Sequence, residues 1–357
     1  MKARFQAMVP TNLDVSELLA RRADGAEGHW GRALRKASRA ALYWEEEATA
    51  LVAEDRPLTE LYRIGPKIER LMLEWFEAEP EIPEPDATRQ GFMTNAHARA
   101  VVAAHPDWRR DINGDLQMHS VYSDGELTVE ELSTACIERG YAYMAITDHS
   151  QGLRIAGGID EDELARQADE IVRLNADLSL REVEFEVLHA MEMNLAPDGS
   201  GDMDPEALAD LDLVLGSFHS QLRKKDDQTA RYIAAVRNPD IQVLGHPRGR
   251  QYNFRLGLTA DWPKVFTEAA RLGRALEIDC HPNRQDLNVE LATLAYEAGC
   301  VFSIGTDSHY AHELDFISIG LATAIEAGIP QERIINFAPA DAVRDWAASV
   351  REMRRPA

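Results

Sequence analysis

The stretch Asp115-Leu116-Gln117-Met118-His119-Ser120-Val121-Tyr122-Ser123-Asp124-Gly125 reads as a short strand, Asp115–His119, running into a loop that carries His119 and Asp124. Side-chain alternation along a strand puts Gln117 and His119 on one face. A glycine directly after Asp124 lets the backbone turn sharply there. Five further segments downstream repeat the arrangement, an apolar run closed by His, Asp or Glu.

Between these segments the pattern switches regularly to helical spacing. Strands are expected at Tyr141–Thr147, at a segment ending at Met191, at Leu213–Phe218, Ile241–Gly245, Ala275–Ile278 and Val301–Ile304. Helices are expected at Thr128–Arg139, opened by a Thr128/Glu131 capping box, at Glu161–Asn175, and near 227–237, 260–272 and 287–298. Strict βα alternation over seven strand segments predicts a parallel sheet closed into a barrel. No glycine-rich dinucleotide fingerprint follows the first strand, which argues against an open doubly wound sheet.

Upstream, residues 12–78 read as helices over Asp14–Ala23, Trp30–Ala53 and Lys67–Glu77. Leu58–Ile68 has the form of a helical hairpin with its tight turn at Gly65 and Pro66 opening the second helix. The acid- and proline-rich run Glu79–Asp86 reads as a linker, and one more helix is expected over 95–104. The division is therefore a helical domain over 1–80, a linker and connecting helix over 81–110, and a barrel over 111–357.

Barrel enzymes gather their active sites at the C-terminal ends of the strands. Here those ends read Gln117-Met118-His119, Thr147-Asp148-His149, Met191-Glu192, Phe218-His219, Gly245-His246 and Thr306-Asp307-Ser308-His309. A lone histidine after an apolar run is usually a hydrogen-bonded core residue, but several at successive strand ends beside Glu192 and Asp307 form a donor set for Zn²⁺, Mn²⁺ or Fe²⁺. His29, His97, His105, His189, His281 and His312 lack this placement and read as structural or surface residues. Asp148 is placed to orient a ligand histidine.

These separated motifs resemble, in order and spacing, the PHP (polymerase and histidinol phosphatase) family of metal-dependent phosphoesterases. Residues 114–338 carry the resemblance, through Gly114–Gly125, Ile146–His149, Ser217–Ser220, Gly245–Arg250, Leu276–Asp286 and Gly305–His309. Within the family they are most similar to the C-terminal PHP domain of bacterial family X DNA polymerases. The resemblance implies a distorted (β/α)7 barrel, preceded here by a small all-helical domain, and three divalent ions. Gln117, His119, Glu192 and Asp307 would hold the first; Glu192, His219 and His246 the second; Asp124, His149 and His309 the third. Most members have His where this chain has Gln117, a weaker neutral ligand that favours a harder ion such as Mn²⁺.

The activity so implied is hydrolysis of a phosphate ester by a metal-activated water. Catalytic roles fall to His246, Arg248 and Asp148, with Arg248, Arg250 and Arg284 binding the phosphate oxygens; Lys224 and Lys225 are weaker candidates. DNA 3′ ends and small phosphomonoesters of the histidinol-phosphatase kind both remain open as substrates, as does a non-catalytic binding module. The hairpin Leu58–Ile68 resembles the helix-hairpin-helix elements that hold DNA phosphates in polymerase beta relatives, with Arg63 replacing the first turn glycine. DNA contact and a purely structural cap are both open for it. The Schiff-base lysine of those relatives would fall at Leu71, so lyase chemistry is not supported, and residues 80–110 are too short for a nucleotidyltransferase domain.

The net charge of −23 arises in residues 111–357, the first 110 being close to neutral. Such an acidic body is a poor general nucleic-acid binder. Arg32, Arg35, Lys36 and Arg39 form the one plausible polyanion contact, with a solvated helix face as the alternative. Cys136, Cys280 and Cys300 show no metal-type pairing and suit a reducing compartment, the cytosol. No apolar run is long enough to span a bilayer, and no partner protein is indicated.

Overall fold

The computed structural model describes residues 10–78 and 81–352. Helices α1 (Asn12–Asp24), α2 (Gly28–Ala40), α3 (Ala48–Ala53) and α4 (Pro66–Ala78) come first. Thr11 and Asp14 close a capping box at the start of α1. The four helices enclose their own apolar cluster, including Val15, Leu19, Leu34, Trp44, Leu51, Ile64 and Met72.

The single helix expected over Trp30–Ala53 is two. Three successive glutamates, Glu45–Glu47, would sit badly at the negative C-terminal end of α2 but suit the positive N-terminus of α3. Glu47 also accepts a hydrogen bond from the Asn12 backbone N–H at 2.6 Å, and Trp44 Nε1 donates to the Tyr62 carbonyl at 3.0 Å. In the hairpin, a short 3₁₀ turn at Leu58–Glu60 leads to α4. Its left-handed residue is Arg63, φ 68°, rather than Gly65. Of the expected linker, Glu79 and Pro80 lie outside the described residues; 81–86 are non-helical.

After α5 (Asn95–Ala104) and α6 (Pro106–Asp111) come β1 (Gly114–Asp115), α7 (Val129–Glu138), β2 (Tyr143–Ile146), α8 (Glu161–Leu180), β3 (Glu186–Asn194), α9 (Pro205–Leu208), β4 (Leu213–Ser217), α10 (Thr229–Arg237), β5 (Val243–Leu244), α11 (Trp262–Arg271), β6 (Ala275–Asp279), α12 (Val289–Glu297), β7 (Val301–Gly305), α13 (Ile317–Glu326) and α14 (Ala340–Glu352). The seven strands are parallel and lie in sequential order from β1 to β7. Backbone bonds from Leu116 N to Ile304 O, from Asp307 N to Gln117 O and from His119 N to Ser308 O join the ends of the sheet. The fold is thus an α/β barrel of seven strands, irregular where it closes, with a helical N-terminal region.

At that seam the buried Asn336 side chain substitutes for a neighbouring strand. Its amide donates to the carbonyls of Gly114 and Ile304 and accepts from the Ile304 N–H. β1 is much shorter than the expected Asp115–His119: Asp115 Oδ1 accepts from the Gln117 N–H at 3.1 Å, and this turn ends the strand.

Alternation decides which side chains enter the barrel. Tyr143, Ala145, Leu188, Ala190, Leu213, Leu215, Val243 and Ala275 face inward and meet Ala340, Val343 and Ala347 of α14. The opposite parity, including Met144, Ile146, Met191, Val214, Leu276 and Ile278, packs beneath the outer helices. With α14 filling one end, the open mouth is the one at the strand C-termini.

Buried polar contacts tie the helical region to the barrel. Tyr252 Oη meets Ser16 Oγ at 2.7 Å, and Gln285 pairs with both backbone groups of Met93. Arg89 binds Glu17 through two nitrogens and Asn253 through a third.

Candidate metal centre

On β3 the inward parity continues from Leu188 and Ala190 to Glu192, whose side chain is fully buried. Four imidazoles surround it. Glu192 Oε1 lies 2.6 Å from His246 Nε2 and 3.2 Å from His219 Nε2, and Oε2 lies 3.1 Å from His149 Nδ1 and 3.5 Å from His119 Nε2. His119 Nε2 also meets Asp307 Oδ1 at 3.0 Å. Its ring is stacked between those of His149 and His309 at 4.3 and 4.6 Å, and Asp124 Oδ1 lies 3.2 Å from His309 Nε2.

Three sets of donor atoms lie close enough together to hold an ion: His119/Asp124/His149/His309, His149/Glu192/His219 and His119/Glu192/Asp307. His246 adjoins the second set through Glu192. Eight of the nine side chains expected as ligands therefore lie at this mouth or directly beside it; Gln117 is buried and belongs to none of the three sets. The six histidines read as structural enter none of the sets.

Local backbone geometry aims several of them. His246 and Asp307 have φ of 21° and 53°, in the sparsely populated left-handed region that recurs where function over-determines the backbone. Gly125 is required by close approach, because a Cβ there would lie 2.1 Å from the His119 carbonyl oxygen.

The donor chemistry fits a divalent cation. Both amide atoms of Gln117 and Nδ1 of His119 are buried without a hydrogen bond among the described residues, an arrangement that costs about 1–3 kcal/mol per group unless a ligand supplies the missing partner. Burial alone would raise the pKa of Glu192, but His149, His246 and His219 hold it well below the usual carboxylate range. Burial lowers every imidazole here; for His149 and His246 the Glu192 charge outweighs it, whereas His119 and His219 stay depressed. One carboxylate cannot favour protons on all four rings. His309, though desolvated, is pushed up to about 9 by its hydrogen bond to Asp124 and by Asp307.

The arginines separate. Arg284 reaches the centre, its Nη1 lying 2.5 Å from Asp307 Oδ2, and its side chain is 33% exposed. Arg250 does not serve as expected: it is buried, donates to the Gly91 carbonyl at 2.8 Å and stacks on Phe92. Arg248 gives Nη2 to the Leu256 carbonyl at 2.9 Å and lines a separate small cavity with Arg250 and Arg255. The 246–257 loop thus engages both with partners outside the donor cluster. Asp148 is also redirected. Its oxygens accept from Ser120 N and Oγ, Ser123 Oγ and Gln167 Nε2 at 2.5–2.8 Å, so it fixes the loop carrying His119 and Asp124 rather than a ligand imidazole.

Sequence reasoning missed Glu277 and Asp279. Both are fully buried on the inner face of β6, Glu277 Oε2 accepting from the His246 N–H at 2.6 Å. Desolvation and the neighbouring Asp307 charge raise Asp279 to about 8, against the opposing pull of the Arg284 guanidinium. Two acids at i and i+2 in an apolar strand was the available signal. Asn194, whose Oδ1 lies 3.3 Å from His219 Nδ1, orients that ring.

Residues 115–253 match the PHP domain family. The chain is 36% identical over 226 residues to the DNA polymerase/3′-5′ exonuclease PolX of Bacillus subtilis, a match covering 63% of this chain and 39% of that protein; the chain thus spans about two fifths of that relative's length. It is 26% identical over 231 residues to a probable phosphatase of Proteus mirabilis (63% of this chain, 90% of that one). A probable phosphatase of Shewanella sediminis is 28% identical over 258 residues (70% and 91%). Among solved structures, a histidinol phosphate phosphatase from Lactococcus lactis, complexed with zinc, L-histidinol and phosphate, matches with a TM-score of 0.47 and 18% identity over 61% of this chain and 95% of that chain. The match lies across the strands that bear Glu192 and its surrounding histidines, and residues 115–253 of the barrel are a PHP domain.

Proposed function

We propose that the chain is a trinuclear metal-dependent phosphoesterase acting at the 3′ ends of DNA, as a 3′→5′ exonuclease or 3′-phosphatase. The observation that carries the hydrolase reading is the single buried carboxylate, Glu192, ringed by four imidazoles at the open mouth of the barrel. Gln117, His119, Glu192 and Asp307 hold one ion, Glu192, His219 and His246 the second, and Asp124, His149 and His309 the third. When bound, divalent ions such as Mn²⁺ or Zn²⁺ supply an activated water and neutralise phosphate charge.

The protein's own groups do the rest. Glu192 orients the rings and keeps a negative charge among them. Arg284 presents a partly exposed guanidinium to the non-bridging phosphate oxygens. Asp148 holds the 119–124 loop in register. The choice of DNA ends over small phosphomonoesters is supported by the higher identity to the exonuclease-bearing relative, 36%, than to the two phosphatases, 26% and 28%.

A panel of p-nitrophenyl phosphate, histidinol phosphate and 5′-labelled oligonucleotides, assayed with Mn²⁺, tests the reading. Shortening or 3′-dephosphorylation of the oligonucleotide, abolished by EDTA, is expected; inactivity on every substrate with metal bound would overturn it. Asp148→Ala is expected to weaken Mn²⁺ binding by about 10–100-fold, the usual effect of losing a group that supports ligands. Calorimetric titration measures this, and unaltered affinity would show that the loop holds its place without the carboxylate.

A further inference from the structure

A cleft of about 980 Å³ opens between the helical region and the barrel. Arg32, Arg35, Lys36 and Arg39 line one side of it. These positions are i, i+3, i+4 and i+7 of α2, hence one face of the helix, extending for about 10 Å at 1.5 Å per residue. Arg63, at the left-handed hairpin position, adds a fifth cation.

A solvated helix face is the ordinary explanation of such a row, but two features argue against it. None of the five cations forms an ion pair with a carboxylate among the described residues, whereas the acids of the same cleft are engaged. Glu45 pairs with Arg99, Asp315 with Arg139, and Glu313 accepts from the His309 N–H at 2.8 Å. Exposed aromatic surface also lies among the cations: Tyr62 and Tyr310 are 60% and 42% exposed and line the cleft.

The cleft adjoins the metal centre. Tyr310 follows His309 in the chain, and Glu313 bridges cleft and His309 backbone. On the other side, Tyr43 of the cleft packs edge-on against His281, with ring centroids 5.9 Å apart. The Arg284 N–H in turn donates to the His281 carbonyl.

We infer that this cleft is a binding track for single-stranded DNA, holding the nucleotides upstream of a 3′ end placed at the metal centre. The reading of the centre as a phosphoesterase supplies the 3′ end; the track itself rests on the cleft. A row of cations without carboxylate partners follows the phosphates and exposed rings stack on bases, the combination that holds single strands without sequence preference. In a chain of net charge −23, this local excess of positive charge also selects where a polyanion lands.

The test measures binding of fluorescent dT8 to the full chain by anisotropy across a salt series, beside hydrolysis of dT8 and of p-nitrophenyl phosphate. Removing three phosphate contacts in an Arg32→Gln/Arg35→Gln/Arg39→Gln variant is expected to flatten the slope of log K against log salt by about 2, at 0.7 per contact for single strands. The matching triple Lys variant should restore that slope. Tyr62→Ala is expected to weaken dT8 binding about tenfold, within the range for one lost stacking contact. The ratio of kcat/KM on dT8 to that on p-nitrophenyl phosphate should fall at least tenfold in the triple Gln variant.

An unchanged salt slope in that variant would overturn the track, as would equally tight binding of an octaglutamate peptide. Absence of hydrolysis with these binding effects intact would overturn the phosphoesterase reading and leave the track standing.

Discussion

Glu192→Gln is expected to lower turnover on any accepted phosphate ester by about 10³-fold while leaving the fold intact. Gln keeps the shape but replaces the only negative charge shared by four imidazoles with a neutral amide, and two of the proposed ion sites use that charge. Metal-borne stabilisation of several kcal/mol, at about 1.4 kcal/mol per factor of ten, sets the size of the loss. His246→Ala should act in the same direction through one site. Steady-state rates with saturating Mn²⁺, together with unchanged circular dichroism, check the result. A Glu192→Gln enzyme within tenfold of wild type would show that the carboxylate is not a shared ligand.

The largest stability effect is expected far from the mouth, at Glu17. This residue and Arg89 are 3% and 6% exposed and joined by bonds of 2.6 and 3.0 Å, and Arg89 reaches across to Asn253 in the barrel. Glu17→Ala leaves a buried guanidinium without its counter-ion, a loss worth about 3–5 kcal/mol. Urea unfolding followed by tryptophan fluorescence reads it directly. Replacing both partners with methionine should recover much of the loss, because the penalty comes from the orphaned charge rather than from the missing pair. A single variant within 1 kcal/mol of wild type, roughly the worth of an exposed pair, would show that water reaches Arg89.

The barrel was legible because each strand is an apolar run cut off by a polar residue, and that punctuation coincides with the active end. Glu192, His219 and Asp307 follow directly from it. The misread residues share a different property: their side-chain direction depends on partners remote in the chain. Asp148 borders His149 in sequence, yet its oxygens are taken by Ser120, Ser123 and Gln167. Arg248 and Arg250 follow His246 within four residues, but in the loop beyond it, with left-handed residues at Gly249, Asn253 and Gly257, they are engaged by Leu256, Gly91 and Phe92. Glu277 and Asp279 were hidden for another reason. Which parity of β6 faces inward is known only once the barrel has closed. The basic face of α2 was visible as charge, but its carboxylate neighbours and their prior engagements were not.

Asn336 gives the molecule something beyond a completed hydrogen-bond tally. A seven-stranded sheet that stopped short of closing would present two raw borders of unpaired peptide groups, templates on which a strand of another molecule could grow. By lending its amide to both Gly114 and Ile304, this one side chain occupies that border from within, so protection against edge-on self-association is built into the barrel rather than left to the surface.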